Sequence, residues 1–378
     1  MKLNALQLLR AMAIGLVVYV HSIDLQMAFS VSRQQNFFYL QDFGAIGVDL
    51  FFVVSGFIIT LVSSQYMGFR EGRQFLVKRF LRINPLYYLA SLLLPGISIV
   101  IASVSHGPGP LRLPLSWHSF LQTVFIFPLS TVPNKVFPLL IVGWTLSFEW
   151  FFYGLLFVTI IIKSRYKPAL LMMMIVLLVL IGRLAHFTNN QLLFMTNPIL
   201  LEFTLGIIIC LVYTRIKRFP RLGAMVLVLA TLVIFSVEIF YGFDGVANLL
   251  RIQDGSLGLL RFLVWGLPCG LLVAGCVFLE KEAVFTRLWK NKWIQLAGDA
   301  SYSIYCTHPI VFFLLTALYR AVGFPGMPDL LILLQVAVAM AAGIVFYRNV
   351  EKPLLRKLRY KHKQPSRSTQ PVAHELHT

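Results

Sequence analysis

Ten apolar runs, each long enough to cross a bilayer, constrain this chain more than any motif within it. A spanning helix needs about 20 mostly apolar residues. The runs fall at roughly 5–28, 43–66, 84–105, 138–162, 169–187, 197–214, 222–241, 257–279, 295–319 and 328–349. In lipid every backbone N–H and C=O must find a partner inside the spanning element, so runs of this kind fold as helices. The expected fold is an all-α polytopic membrane protein. With 58% hydrophobic and 13% charged residues and a mean hydropathy of +0.78, the chain lies outside the range of soluble globular domains.

The net charge of +18 would fit nucleic acid or anionic lipid as a partner, and the placement of the charges decides between them. They sit in clusters between the apolar runs and form no single basic face, so the expected partner is membrane lipid and not nucleic acid. With the N-terminus in the cytoplasm, all but seven of the 33 Lys and Arg fall on the inner side, which is the positive-inside pattern and puts both termini in the cytoplasm. An eleventh apolar stretch, Phe120 to Val132, is short and contains Pro128. It is expected to be interfacial or re-entrant, since a crossing there would move Arg215, Lys217 and Arg218 outside. Gly107 to Pro110, with Pro114, marks an irregular loop before it. The first run lacks a small-residue cleavage site and is followed by Asp24 and Gln26, so it is expected to remain as a span. Residues 1–360 form one membrane domain, and residues 361–378 a polar, disordered tail. Cys210, Cys269, Cys276 and Cys306 lie in apolar segments without metal-ligand spacing and are expected to be buried, with no metal site.

Polar residues inside apolar helices are functional candidates because burying them is costly. Arg10 and His21 are eleven residues apart, about 20° past three helical turns, so they share a face with a rise of roughly 16 Å. The plainer alternative makes Arg10 a snorkelling anchor and His21 an interhelical hydrogen-bond donor. The second run holds Asp49, with Ser55 and Gly56 beyond it; Asp49 and Gly56 share a face, as a ligand notch beside a carboxylate or as a packing notch. Arg79 and Arg82, at i and i+3 in a dense basic cluster, suit a phosphate-rich ligand, or they serve topology alone. Asn84-Pro85 is expected to open the third span.

The fourth span starts at Gly143-Trp144 and places Glu149 and Tyr153 on one face, with Trp144 pointing elsewhere. By residue counting, His21, Asp49 and Glu149 lie at similar depth in three helices, and buried charges are tolerated when they meet. In the ninth span Tyr302, Tyr305 and His308 step by three and line a cavity or bind across to another helix. Glu351-Lys352-Pro353 caps or anchors the last span, and Glu202, Arg183, His186 and Arg261 have no assignment.

Taken in order, Arg10 with His21, the Asp49–Phe57 stretch, Arg79 and Arg82 before Pro85, Trp144 to Tyr153, Ser301 to Pro309 and Glu351 to Pro353 resemble the successive motifs of the membrane-bound acyltransferase-3 family. The resemblance runs from about residue 3 to 355. It implies ten spans in a bacterial cytoplasmic membrane and transfer of an acyl group, commonly acetyl, from acyl-coenzyme A. The implied acceptors are sugar hydroxyls of surface or exported polysaccharide or glycolipid. It also implies His21 as the catalytic centre with Arg10 as its companion. Some members carry a further periplasmic hydrolase-like domain after the membrane part; here transfer would be completed by the membrane domain or by a separate partner.

A sugar hydroxyl needs a base within hydrogen-bond reach, a role that suits imidazole. Asp49 or Glu149 would orient His21, and a covalent acyl-His21 intermediate fits equally well. Arg10, Arg79 and Arg82, with Ser55 and Gly56, would hold the coenzyme; Trp144, Tyr153, Tyr302, Tyr305 and His308 would meet the acceptor. A rise of 16 Å, roughly the length of an extended pantetheine arm, would let an inner donor meet an outer acceptor. Two other classes compete. A transporter of a small anionic or acylated substrate also fits ten spans with midplane charges, although no paired half-sequences are present. A structural subunit would use His21 only as a helix bridge.

Overall fold

The structure, a computed structural model, describes residues 3–29, 42–104, 116–129, 137–242, 245–323 and 330–363. Among these the chain is helical throughout, in order α1 (Asn4–Phe29), α2 (Ile46–Ser63), α3 (Phe69–Val104), α4 (Trp117–Phe125), α5 (Trp144–Ile161), α6 (Lys167–Ala185), α7 (Asn190–Met195), α8 (Leu201–Arg215) and α9 (Arg221–Tyr241). It continues with α10 (Leu249–Gln253), α11 (Gly258–Arg261), α12 (Leu267–Lys281), α13 (Thr286–Trp289), α14 (Lys292–Asp299), α15 (Ser301–Val322), α16 (Leu330–Phe346) and α17 (Lys352–Lys363). Among the described residues ten helical stretches are long and apolar enough to span a membrane, matching the ten expected runs in number and order.

Boundaries differ most at the third span. Asn84-Pro85 does not open a helix; α3 begins at Phe69 and runs for 36 residues through Pro85 and Pro95. Phe75 and Ile83 are buried while Arg73, Lys78 and Phe80 face outward, so the basic stretch is itself an amphipathic helix that continues into the apolar one. Pro85 removes one backbone donor and leaves the Leu81 carbonyl without its helical partner, a loss tolerated where neighbouring helices pack against the turn. Tyr302 of α15 does so, donating its hydroxyl to the Ile83 carbonyl at 2.8 Å.

Helix ends gather their orphan groups at one end of the bundle. Lys167 Nζ donates to the carbonyls of Ser63, Ser64 and Tyr66 past the end of α2, and Lys281 Nζ to those of Tyr213 and Ile216 at the end of α8. The Glu280 carboxylate accepts from the Asn4 and Ala5 amides that open α1, at 2.8 and 2.7 Å. Each places charge where the helix dipole favours it.

α1 is central, packed by α2, α12, α14, α15 and α16, whereas α6 and α9 lie outside with mostly exposed apolar surface. The α2–α8 crossing is the tightest. A Cβ on Gly56 would collide with the Phe203 carbonyl, and one on Gly206 with that of Val53. Gly56 is therefore a packing notch that brings two backbones together, and the ligand-notch alternative for it does not hold. α4 covers part of the eleventh stretch as a short helix capped by Ser116, with Trp117 and Phe125 exposed, and stops at Ile126 in left-handed backbone (φ 51°). It spans nothing. Residues 107–114 and 130–132 lie outside the described residues, as does all but the start of the 361–378 tail, which α17 enters as far as Lys363.

Candidate active site

Between α1, α2, α3, α5 and α15 lies a cavity of about 130 Å³. Its polar wall consists of Arg10, Arg79 and Arg82 with Ser55, Thr145, Glu149, Tyr153, Ser301, Tyr302 and Tyr305. Val17 completes the α1 side. Arg10, Val17 and His21 form one stripe at i, i+7 and i+11, so the cavity runs up α1 and ends about one turn short of the imidazole.

Three guanidinium groups face one carboxylate in this space, and among the described residues none of the three forms an ion pair. Arg79 lies over the rings of Phe75 and Tyr153, at 5.5 and 5.8 Å, and Arg10 reaches only the Gln7 amide oxygen at 3.4 Å. Glu149 is occupied by hydroxyls, accepting from Ser55 at 3.0 Å and from Tyr153. Continuity of α3 explains the geometry, since Arg79 and Arg82 sit one turn apart on a rigid helix that presents both to the same space. Glu351 and Asp299 stand behind this lining within Coulombic reach of Arg10, and Glu351 also of Arg82, yet none of the three guanidinium groups pairs with either, so the lining keeps donors open to a phosphate-bearing ligand.

At the other end, His21 Nδ1 lies 3.2 Å from Asp24 Oδ2, one turn on along the same helix. Both remain open to solvent, with 37% and 59% of their side chains exposed. A carboxylate facing Nδ1 holds the proton there and leaves Nε2 as the free lone pair. Below His21 lies His308, fully buried, with ring centroids 5.3 Å apart and planes within 24°. Tyr305 and Tyr302 continue the ring series down into the arginine cavity at centroid spacings of 6.2 Å. Asp42 precedes α2 at the same mouth. Partial desolvation raises its carboxyl pKa above the ordinary value, and the Asp24 charge adds to the rise.

Not every expected residue meets the others. Asp49 does not approach His21. It forms a buried bidentate pair with Arg261, Nε to Oδ1 at 2.8 Å and Nη2 to Oδ2 at 2.6 Å, and Arg261 also donates to the Val246 and Ala45 carbonyls and lies over Trp265. Glu202 shares that buried neighbourhood. Glu149 belongs to the arginine cavity, so the three acidic or basic groups at similar depth do not converge. Depth along a helix says nothing about azimuth, and the α2 face bearing Asp49 turns toward α11. Trp144 faces a second, smaller cavity on another side of α5, lined also by Gln122, Ser147, Asn190 and Gln253. Tyr153, Tyr302 and Tyr305 lie in the arginine cavity, and His308 stacks on His21 outside it. Glu351 is buried and accepts from Ser303 at 2.5 Å. Sequence reasoning passed over Asp24, although its i+3 spacing from His21 was a readable signal. It left Arg261 unassigned because nothing local marks a partner 212 positions away.

The family model "Acyltransferase domain" matches residues 3–348. This chain belongs to the membrane-bound acyltransferase-3 family. Among curated proteins, this acyltransferase is similar to the exopolysaccharide production protein ExoZ of Rhizobium meliloti (strain 1021), 30% identical over 316 residues, covering 83% of this chain and 90% of that protein. No solved structure matches the acyltransferase. It is thus a multi-pass membrane enzyme that uses an acyl donor, and neither the transporter nor the purely structural alternative stands.

Proposed function

We propose that this acyltransferase moves an acyl group, acetyl first among candidates, from cytoplasmic acyl-coenzyme A to a sugar hydroxyl of an exported polysaccharide or glycolipid. The observation that carries the reading is the arginine cavity: three guanidinium groups with no ion-paired carboxylate among the described residues, in a space that follows α1 from Arg10 toward His21. Phosphates of the coenzyme bind Arg10, Arg79 and Arg82, and the thioester arm rises along the Val17 side to the imidazole. The similarity to a protein named for exopolysaccharide production supports the acceptor class. Basic clusters at the end holding the α1 N-terminus support a cytoplasmic N-terminus in the inner membrane of a bacterium.

In direct transfer, His21 Nε2 takes the hydroxyl proton as the sugar oxygen bonds to the thioester carbon. The C–S bond breaks, its electron pair leaves on sulfur, and the thiolate receives the proton from His21. In the two-step form Nε2 bonds to the thioester carbon and the C–S bond breaks with its electron pair on sulfur; the sugar oxygen then bonds to the acyl carbon, the N–C pair returns to Nε2, and the hydroxyl proton passes to the coenzyme thiolate. Both forms need the same unprotonated Nε2 that Asp24 leaves free.

Proton NMR of the producing cell's polysaccharides tests the reading in wild type, a deletion, and the deletion complemented with His21→Ala at equal membrane levels. Ester signals that vanish on deletion and stay absent with His21→Ala support it. Their return with His21→Ala overturns the assignment of His21. Rapid-quench trapping of labelled acetyl on the protein without acceptor separates the two-step form from direct transfer.

A further inference from the structure

His308 is the group at the reactive end to which the transfer chemistry gives no task, and its surroundings are specific. It precedes Pro309 inside α15, and a proline there leaves the Tyr305 carbonyl without its helical donor. The imidazole turns back onto this same turn, with Nδ1 3.1 Å from the Ile304 carbonyl. A carbonyl only accepts, so Nδ1 bears the proton and Nε2 of the neutral ring bears the lone pair. Nε2 is buried and has no partner among the described residues, and the Phe312 ring closes another side at 6.1 Å. A proton added to Nε2 would be a buried charge without a counter-ion. His21 has the opposite setting, half-open to water with Asp24 against Nδ1. Two stacked imidazoles therefore divide the work, since only the upper one can become charged.

We propose that His308 is a positioning residue for His21: a neutral, immobile ring whose face supports His21 and receives it when transfer makes His21 cationic. The inference rests on the reading of His21 as base or acyl carrier. The centroid spacing of 5.3 Å falls inside the roughly 6 Å range over which a cation is drawn to an aromatic face. The buried ring also blocks one side of His21, so that Nδ1 stays toward Asp24 and Nε2 toward the acceptor. The donor's phosphates bind far from this stack, so the contribution belongs to the chemical step and not to donor binding.

The test uses the full chain purified in lipid nanodiscs, with labelled acetyl-CoA as donor. The acceptor is the producing cell's polysaccharide, stripped of esters by mild alkali. His308→Ala is expected to lower kcat about tenfold with donor KM unchanged, and His308→Phe, which keeps a ring face without nitrogens, to restore kcat to within about threefold of wild type. If His308→Ala fails to insert, His308→Leu, which fills the volume without an aromatic face, takes its place with the same tenfold loss expected. Wild-type kcat in the Ala or Leu variant overturns the proposal. So does a Phe variant as slow as Ala with normal donor KM, because the nitrogen and not the face would then be required. His21→Ala is measured alongside. Activity in that variant refutes the reading of the site itself, whereas inactivity there with wild-type kcat in His308→Ala refutes only the role of His308.

Discussion

Two sets of arginines lie within the membrane-spanning part of this enzyme, and they are treated in opposite ways. Arg261 is surrounded: two bonds to Asp49, two to backbone carbonyls and a tryptophan face. Arg10, Arg79 and Arg82 have rings, an amide and open space, and no carboxylate partner among the described residues. A buried charge that is fully satisfied fixes structure, while unsatisfied cations around a cavity are held ready for a ligand that brings the missing negative charge. On the proposed function, four arginines of similar chemistry divide into a fastener and a receptor.

The sharpest way to break this contrast is to remove one partner of the fastener. Asp49→Ala strips buried Arg261 of its bidentate partner and leaves only Glu202 nearby, with an expected loss of about 3–5 kcal/mol. Thermal unfolding in detergent, or the level of inserted protein, would show it. Asp49→Leu combined with Arg261→Met should recover much of the loss, and a double variant as poor as the single one would contradict the fastener role.

The receptor should respond differently. Arg79→Gln with Arg82→Gln should leave unfolding temperature within a few degrees of wild type and raise donor KM by about 10- to 100-fold, the range for lost charge-assisted hydrogen bonds. Initial rates across a series of acetyl-CoA concentrations decide it. A destabilised protein with normal KM would move these arginines into the same class as Arg261.

Smaller again is the effect expected at Asp24. Asp24→Asn removes the carboxylate that selects the His21 tautomer, and because the pair is half in water, kcat should fall by about tenfold, not by the far larger factor seen for buried triad acids. Steady-state kcat with donor KM held constant is the readout. The least disruptive change is Ser55→Ala, which leaves Glu149 with its Tyr153 bond and should alter stability by about 1 kcal/mol or less. A loss several times larger would mean that Glu149 depends on Ser55 in a way its second partner does not cover.

The contrast between the arginines also shows how far the sequence could be read. Ten spans, the Arg10–His21 stripe and the shared space of Arg79 and Arg82 were legible because each depends on spacing within one helix. What faces a given stripe depends on packing between helices. Asp49 looked like a companion of His21 by depth, yet its α2 face meets Arg261 across the bundle. Gly56 could be read as room for a ligand or as a packing notch, and it is where α8 presses on α2. Trp144 points away from the arginine cavity, as its spacing indicated, but the amide-lined pocket it enters was not foreseeable. Asn84-Pro85 misled because a proline usually marks a boundary, and inside a membrane a neighbouring hydroxyl can steady the turn instead.

The uninterrupted course of α3 has one further consequence. Its 36 residues add up to about 54 Å of axial rise, well over the roughly 30 Å of a bilayer's hydrocarbon layer, with Pro85 and Pro95 along the way. Arg79 and Arg82 are therefore mounted on a shaft and not on a loop, and their height and bearing are set by residue count alone. One residue inserted between Arg82 and Pro85 would swing both side chains by about 100° and shift them about 1.5 Å along the axis relative to everything beyond Pro85. If these arginines hold the donor as proposed, its height in the membrane is graduated in single amino acids.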